Sequence, residues 1–358
     1  MTDNRKKQAK ELAAKTSKNF GHGTGAVASD LGGFKLDVTS TGILALDYTT
    51  GLGGWPSRFP IEIFGAPDIG KSTILGLGGI REAQKAGKLC GLIAMEPSFD
   101  EAWAVKHGVD PELLVIAYPN DGEDAFAILW DWVTGGVVDF IVFDSLGGVS
   151  TKTKEAGAVK AYGASGLISA NMNNIAQPIF KNDVTAIFLN QQRDDNNAKI
   201  PGLVKPPGGW AVKHVCPLRI HLKTGKEKYY TQIGDSKVLI GRKLNAQIIR
   251  NKLAEKSAPG FKAQFDFYHM DVEGEPFGLD TGEDVSTTGV LSGVIEKNGS
   301  WFSHPTFPGK GHKLQGADNI SEFIKDNPGV YDKIRDDILD VLKADLTQAV
   351  TEDTEGDK

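Results

Sequence analysis

One stretch of the chain reads Ile61-Glu62-Ile63-Phe64-Gly65-Ala66-Pro67-Asp68-Ile69-Gly70-Lys71-Ser72-Thr73. It predicts a buried strand, then a loop of the form Gly-x-x-x-x-Gly-Lys-Ser, and then the first turn of a helix. Glycines let the backbone turn its N–H groups toward anionic oxygens, and the helix N-terminus adds a partial positive charge. Lys71 supplies a full positive charge for the terminal phosphates, and the Ser72 hydroxyl is a ligand for Mg²⁺. The stretch therefore predicts a nucleotide polyphosphate site; the alternative is a structural glycine-rich turn.

Length and composition limit the class of protein. A chain of 358 residues with 40% hydrophobic content is long enough for two to three domains with a sizeable core. The sequence contains no apolar run of about 18 residues, and its charged N-terminus is not followed by an apolar segment. We therefore expect a cytoplasmic protein with no membrane partner. Cys90 and Cys216 lie far apart beside apolar neighbours, which predicts reduced core residues.

The charge of the chain is unevenly distributed. The net charge is −6, but residues 1–20 carry six basic against two acidic residues, and residues 339–358 carry two basic against six acidic residues. An acidic tail can mask a basic groove elsewhere, so the negative total does not exclude a nucleic-acid partner.

The order of predicted elements indicates an α/β fold. Between residues 60 and 220, short apolar strands alternate with helical stretches, which is typical of a mostly parallel sheet flanked by helices. The predicted strands are 61–64, 89–95, 114–117, 140–143, 186–190 and 218–222, and the predicted helices are 73–86, 100–106, 122–135 and 164–181. Ligands of such sheets bind at the carboxyl ends of the strands.

Four regions are expected along the chain. Residues 1–33 form a basic helix (3–20) and a linker, and residues 34–284 form the α/β core. Within that core we predict a hairpin of strands 228–233 and 237–240, followed by strands 246–250 and 263–268. Residues 285–347 form a small C-terminal domain with helices 321–327 and 330–346, and residues 348–358 form a disordered acidic tail.

Polar side chains end three of the predicted strands. Asp144 follows an apolar run, where a carboxylate beside the phosphate loop holds a Mg²⁺-bound water. Glu96 ends another strand and could orient and deprotonate the water that attacks the γ-phosphate, although strands also end on a surface glutamate. At the end of a third strand, the amide pair Asn190-Gln191 could hydrogen-bond the γ-phosphate and report its loss; a solvated strand end is the alternative.

A series of short motifs resembles the bacterial-type RecA recombinase family over nearly the whole chain. Their order and spacing make the resemblance specific. The motifs are residues 20–24, 40–47, 51–56, 95–100, 142–145, 190–191, 208–213, 249–252, 259–262, 295–303 and 323–328. The resemblance implies a RecA-type P-loop ATPase core, an N-terminal polymerisation helix and a small α+β C-terminal domain. It also implies a DNA-dependent ATPase that forms a helical filament on single-stranded DNA and exchanges strands with a homologous duplex in recombination and repair.

The resemblance assigns roles at the site of ATP and Mg²⁺. Glu96 would be the general base, Asp144 and Ser72 would hold Mg²⁺, and Gln191 would be the γ-phosphate sensor. Contacts with ATP fall to residues 65–73, that is Gly65, Ala66, Pro67, Asp68, Ile69, Gly70, Lys71, Ser72 and Thr73, to Asp100 and Trp103 at the adenine, and to Arg250 and Lys252 from the neighbouring subunit. Trp103 stands where the family usually has a tyrosine, and an indole stacks at least as well.

Residues 150–165 and 191–209 match the two DNA-binding loops of the family. The candidate DNA contacts are Lys152, Lys154, Lys160, Arg193, Lys199, Ile200, Lys205, Gly208 and Gly209, with Ile200 as an apolar wedge between bases. For any one of them the alternative is a solvated loop residue. Asp194 and Asp195 depart from the family pattern, and residues 223–245 form a longer segment than the family leads us to expect. These departures indicate a divergent member.

Three other functions remain as alternatives to a recombinase. One is a hexameric helicase motor built on the same fold, which would form closed rings. Another is a DNA-binding scaffold that binds ATP and barely hydrolyses it, although Glu96 argues against it. A P-loop metabolite kinase is the least favoured, since no acceptor pocket or lid is evident in the sequence.

Overall fold

The computed structural model describes residues 2–20, 25–27, 29, 36–151, 160–194, 204–254, 260–271 and 277–355. The chain divides into two compact units, Met1–Asp37 and Val38–Lys358. None of the helices in this described part combines the length and the apolar character needed to span a bilayer.

The first unit contains helix α1, Thr2–Phe20. Its apolar residues make only a thin stripe, and Leu12 and Phe20 are 66% and 75% exposed. The Ser17 hydroxyl donates to the carbonyl oxygen of Gly25 at 2.8 Å and accepts from the Gly25 N–H at 3.1 Å. These two hydrogen bonds hold Gly25 against the last turns of α1.

The second unit contains the remaining elements. Its helices are α2 Leu44–Thr50, α3 Gly78–Lys85, α4 Glu101–Lys106, α5 Gly122–Gly135, α6 Lys160–Lys181, α7 Gly209–Val215, α8 Thr281–Ser292, α9 Ala317–Asp326 and α10 Pro328–Glu355. Its strands are β1 Val38–Thr39, β2 Trp55–Pro56, β3 Pro60–Gly65, β4 Cys90–Ala94, β5 Leu114–Ala117, β6 Phe140–Asp144, β7 Thr185–Gln191, β8 Arg193–Asp194, β9 Val204–Lys205, β10 Leu218–Ile233, β11 Ser236–Asn251, β12 Lys262–Tyr268, β13 Gly278–Leu279, β14 Glu296–Asn298, β15 Trp301–Ser303 and β16 Lys313–Gln315.

A nine-stranded sheet forms the centre of this unit among the described residues. Its strand order is β13-β12-β11-β10-β3-β7-β6-β4-β5. The six strands from β10 to β5 are parallel, and β11, β12 and β13 extend the sheet antiparallel. The parallel strands read as continuous apolar runs because helices cover both of their faces. The predicted α/β class and its mostly parallel sheet are confirmed.

Alternation along β6 divides the core between the two faces. Ile141 and Phe143 pack with α5 and α6 in one buried cluster. Phe140 and Val142 point to the other face, where Gly79 of α3 lies against the Phe140 ring. Cys90 and Cys216 are fully buried and unpaired, and burial raises the pKa of the Cys90 thiol to about 12. The expectation that both cysteines lie in the core is confirmed.

Strands β10 and β11 are longer than predicted. The sequence pattern suggested several short strands, with the hairpin beginning only after Gly225. In the structure the ladder continues past them through register shifts between Thr224 and Lys228 and between Tyr229 and Tyr230. Such bulges absorb extra residues without ending a strand. The predicted separation of 218–222 from 228–233 is therefore wrong, and residues 223–245 belong to one long hairpin.

The C-terminal part packs around its own apolar cluster. Val285 of α8, Phe302 of β15, Ile320 of α9 and Ile334 of α10 are buried there, together with Leu44 of α2. The predicted end of the last helix at residue 346 is wrong, because α10 continues through Glu355. Alanine, leucine and glutamine after residue 343 favour a helix by intrinsic propensity. Disorder of the acidic tail stays a prediction.

Candidate nucleotide site

A cleft opens at the carboxyl edge of the parallel strands. The loops after β3, β4, β6 and β7 leave the sheet side by side there, as parallel topology requires. The cleft brings together many of the residues predicted from the sequence. Those that line it are Pro67, Asp68, Lys71, Ser72, Thr73, Glu96, Asp100, Trp103, Asp144 and Gln191.

Two glycines shape the phosphate loop, residues 65–72. A Cβ at Gly65 would lie 2.5 Å from the carbonyl oxygen of Leu222 in the adjacent strand β10, so no side chain fits there. Gly70 has φ +100°, in the left-handed region that favours glycine. Its carbonyl oxygen accepts from the Ile74 N–H at 2.7 Å, which starts the π-helical turn Lys71–Leu77 before α3. The loop therefore curls back over its own strand, as a phosphate cradle requires.

The Lys71 side chain lies inside this loop. Its ammonium donates to the carbonyl oxygens of Ala66 at 2.6 Å and Gly65 at 3.2 Å. Burial lowers the pKa of Lys71, and the negative charges of Asp144 and Asp68 oppose that shift. A buried cation beside backbone carbonyls is poorly neutralised, and a polyphosphate would supply the missing negative charge.

Oxygen ligands face Lys71 across the cleft. Burial raises the pKa of the Asp144 carboxyl, and the nearby Ser72 hydroxyl and Lys71 ammonium oppose that rise. Glu96 lies close enough for its charge to act on Asp144. Among the described residues, no group of three or more His, Cys, Asp or Glu side chains could hold a metal by itself. This donor set fits Mg²⁺, which usually takes one or two carboxylates and completes its shell with phosphate oxygens and water.

Gln191 reaches the cleft from the end of β7. A Cβ placed on Gly147 would lie 3.1–3.2 Å from the Cβ, Cγ and Cδ atoms of Gln191, so the amide side chain packs directly on the turn Leu146–Gly148. Sequence reasoning missed Gly147. The pair Gly147-Gly148, which begins three residues after Asp144, could have indicated this contact. Residues without a side chain let another segment of the same chain approach closely.

Trp103 closes one side of the cleft. Its indole N–H donates to the Thr73 hydroxyl at 3.4 Å, and its ring packs edge-on against His107 at 4.6 Å and Phe277 at 5.9 Å. Asp100 caps α4, since its carboxylate accepts from the backbone N–H of Trp103 at 3.0 Å. The hydrogen bond between the indole and Thr73 fixes the ring relative to the phosphate loop. His107 and Phe277 were not predicted, because their contact with Trp103 depends on tertiary packing.

Neither Arg250 nor Lys252 is among the described residues that line the cleft. The Arg250 guanidinium donates to the carbonyl oxygens of Lys213, of His214 at 3.3 Å and of Cys216 at 3.3 Å, at the end of α7. Lys252 is exposed. Their predicted contact with ATP stays a prediction that concerns a second subunit.

Most of the predicted DNA contacts fall where the structure gives no description. Lys152, Lys154, Lys199 and Ile200 lie outside the described residues, as do the side chains of Lys160 and Lys205. Arg193 is exposed, and its guanidinium lies 3.5 Å from the Gly147 carbonyl oxygen. Gly208 and Gly209 have φ values of +97° and +65° at the start of α7, where they turn the chain into that helix.

Comparison with known proteins agrees with this architecture. The family described as the RecA N-terminal domain matches residues 7–271, and the one described as the RecA C-terminal domain matches residues 284–343. "Protein RecA" of Thermotoga neapolitana is 32% identical over 338 residues, which cover 93% of this chain and 92% of that protein. "Protein RecA" of Thermus aquaticus is 31% identical over 361 residues, which cover both chains completely. The chain belongs to the RecA family.

Proposed function

We propose that this protein is a DNA-dependent ATPase that assembles as a helical filament on single-stranded DNA and catalyses pairing and strand exchange with a homologous duplex. One observation carries the proposal. Lys71, Glu96, Asp144 and Gln191 converge in one cleft from the carboxyl ends of four adjacent strands. That constellation suits phosphoryl transfer to water, and membership of the RecA family directs it to DNA.

Five of the cleft residues have a part in ATP hydrolysis. Lys71 and the backbone N–H groups of the phosphate loop bind and orient the phosphates. Ser72 and Asp144 would hold Mg²⁺, whose charge would offset the negative charge that develops on the phosphates. Glu96, exposed at the rim of the cleft, takes a proton from the attacking water. Gln191 donates its amide to the terminal phosphate and so distinguishes ATP from ADP.

Assembly and DNA binding complete the proposal. Arg250 and Lys252 would approach the ATP of a neighbouring subunit, which agrees with their position away from this chain's own cleft. The basic helix α1, with Leu12 and Phe20 exposed, suits a contact with another copy of the chain. Residues 150–165 and 191–209 are the proposed DNA loops. Arg193 at the start of the second loop supplies a charge for a phosphate contact.

ATP turnover measured with and without single-stranded DNA tests the proposal. We expect DNA to raise the rate, and Lys71→Ala to abolish it. The matched control is Lys181→Ala, which removes an exposed lysine at the end of α6. Electron microscopy of the ATP and DNA complex should show open helical filaments. Closed rings would favour a helicase motor, and negligible turnover in both wild type and Glu96→Gln would favour a scaffold.

A further inference from the structure

A second cavity adjoins the nucleotide cleft at Trp103. Asp68, Thr73 and Trp103 line both spaces, and side chains from β11 and β12, among them Arg242 and Phe267, line the second one. We call it the Arg242 cavity. Asp68 belongs to the phosphate loop and Thr73 follows that loop directly, so the cavity begins where the phosphates of a nucleotide would end. A base attached to those phosphates is therefore within reach of the cavity.

Two neighbouring strands bring a cation and an aromatic ring to this cavity. Arg242 of β11 lies directly opposite Phe267 of β12 in the antiparallel ladder. Residues that lie opposite each other point to the same face of a sheet, and both side chains line the cavity. His269 comes two residues after Phe267, its N–H donates to the Ile240 carbonyl oxygen at 2.8 Å, and its side chain lines the cavity as well. Strand pairing therefore sets the positions of all three side chains.

Aromatic rings give the cavity flat apolar walls. The His107 ring lies edge-on to the Trp103 ring at 4.6 Å and nearly parallel to the Phe267 ring at 6.0 Å and 14°. Burial lowers the pKa of His107 to about 4, so the imidazole that joins the two walls is uncharged at neutral pH. Flat aromatic faces of this kind bind nucleobases by stacking and tolerate any base. The walls thus suit a base without selecting one.

Arg242 supplies the positive charge of the cavity. It is half-buried, and its guanidinium forms neither an ion pair nor a hydrogen bond with the part of the chain that the structure describes. Burial, followed by the positive charge of Arg242, lowers the pKa of His269, which favours the uncharged imidazole at neutral pH. A guanidinium stays protonated and carries five N–H donors in a planar fork. Arg242 therefore offers unused donors, and no acceptor, to a ligand in the cavity.

Such donors distinguish the two purines. Along one edge guanine presents two acceptors, N7 and O6, whereas adenine presents the N7 acceptor beside the N6 amino donor. A guanidinium can donate to both guanine acceptors at once, but the amino group of adenine would place a donor against a donor. The aromatic walls make no such distinction. Arg242 therefore adds a preference for guanine to a cavity that otherwise accepts any base.

We infer that Arg242 is a specificity-determining residue and that the nucleotide site takes guanine nucleotides as well as adenine nucleotides. The inference rests on the proposed function only in placing the triphosphate in the cleft, and it does not depend on DNA. It extends the substrate class of the proposed hydrolysis from ATP to purine nucleoside triphosphates. Trp103 keeps its predicted contact with the base, since an indole stacks on guanine and adenine alike.

Calorimetric titration with Mg²⁺-ADP and Mg²⁺-GDP, in the absence of DNA, tests the inference. We expect the wild type to bind GDP no more than about tenfold more weakly than ADP. Arg242→Met keeps an apolar stem and removes the donors. The affinity for GDP relative to ADP should then fall about 5- to 150-fold, the range for one bidentate contact with a base.

Lys228→Met is the matched control. Lys228 lies directly opposite Arg242 on β10, is exposed, and is not among the described residues that line the cavity. Its substitution removes a neighbouring positive charge by the same change of residue. The ratio of GDP affinity to ADP affinity should equal that of the wild type.

Arg242→Gln separates recognition of the base from support of the fold. Glutamine carries one donor and one acceptor, which match the N6 amino group and N7 of adenine. This variant should therefore shift the ratio toward ADP at least as far as Arg242→Met does. A residue that only supported the walls of the cavity would weaken both nucleotides by the same factor when it was replaced. A thermal melt checks that each variant is folded; if neither folds, the wild-type ratio alone decides.

The proposed function and this inference fail in different ways. ATP turnover that ignores single-stranded DNA would overturn the proposed function, yet GDP binding that depends on Arg242 would still support the inference. A wild type that binds GDP more than about tenfold more weakly than ADP would overturn the inference, even if DNA stimulates its ATP turnover. So would folded Arg242→Met and Arg242→Gln proteins whose ratio of GDP to ADP affinity equals that of the wild type.

Discussion

Replacing Gly147 by alanine should displace the Gln191 side chain and slow ATP hydrolysis while the protein stays folded. The new Cβ would lie 3.1 Å from the Cγ and Cδ atoms of Gln191 and 3.2 Å from its Cβ. Ordinary van der Waals contacts are longer by a few tenths of an ångström. Two backbone hydrogen bonds fix the turn. The Gly148 N–H donates to the Ser145 carbonyl oxygen at 3.0 Å, and the Val149 N–H donates to the Leu146 carbonyl oxygen at 3.3 Å. Gln191, with its rotatable bonds, is therefore the group that moves.

The expected magnitude differs between stability and catalysis. Overpacking a closed core costs about 1–3 kcal/mol, but Gln191 is only half-buried, so we expect a cost below about 1 kcal/mol. That corresponds to a fall of less than about 4 °C in melting temperature. A displacement of about 1 Å near reacting atoms can cost about 100-fold in rate. We expect DNA-stimulated turnover to fall about 10- to 100-fold.

Steady-state ATP hydrolysis with saturating single-stranded DNA measures this effect, and a thermal melt measures stability. Gly166→Ala is the matched control, because its Cβ would meet nothing within 4 Å and α6 tolerates alanine. Adding Gly147→Ala to Gln191→Ala should have no further effect if the alanine acts through Gln191. A Gly147→Ala protein with wild-type turnover, or effects of the two changes that simply add, would refute the reasoning.

Three further predictions follow from the same structure. Glu96→Gln should lower turnover by about 10²- to 10⁴-fold while filaments still form with ATP, as kinetics and electron microscopy would show; retained hydrolysis would exclude Glu96 as the base. Trp103→Ala should raise the KM for ATP by about 5- to 150-fold through lost stacking, whereas Trp103→Tyr should stay near wild type; equal effects would rule out stacking. Burial raises the pKa values of Asp47 and Asp284 to about 7 from 3.8, so the folded chain keeps protons that the unfolded chain has released. The stabilisation from these retained protons is full below pH 3.8 and is lost as the pH rises to about 7, by at most ~1.4 kcal/mol per pH unit for each carboxyl. Chemical denaturation at pH 5 and 7.5 should show a lower free energy of unfolding at pH 7.5, and a higher one would contradict the prediction.

Much of the cleft was predictable because parallel topology brings strand ends together. Once β3, β4, β6 and β7 were recognised as parallel, the residues that end them had to share one edge of the sheet. Lys71, Glu96, Asp144 and Gln191 were identified from that reasoning and from motif resemblance, and all four line the cleft.

Other features depend on contacts that a linear pattern does not contain. Asn190 and Gln191 are both amides at the end of one strand, and the sequence alone does not say which of them faces the cleft. The hydrogen bonds of Arg250 to the end of α7 depend on where that helix lies beside β11. The length of the hairpin was underestimated because Gly225 is compatible with a turn as well as with a bulge.

The most direct measurement is the rate of ATP hydrolysis by wild type and Lys71→Ala, each with and without single-stranded DNA. We predict that DNA raises the wild-type rate and that Lys71→Ala shows no turnover in either condition. A wild-type rate that DNA leaves unchanged, or a Lys71→Ala protein that hydrolyses ATP as fast as wild type, would contradict the account.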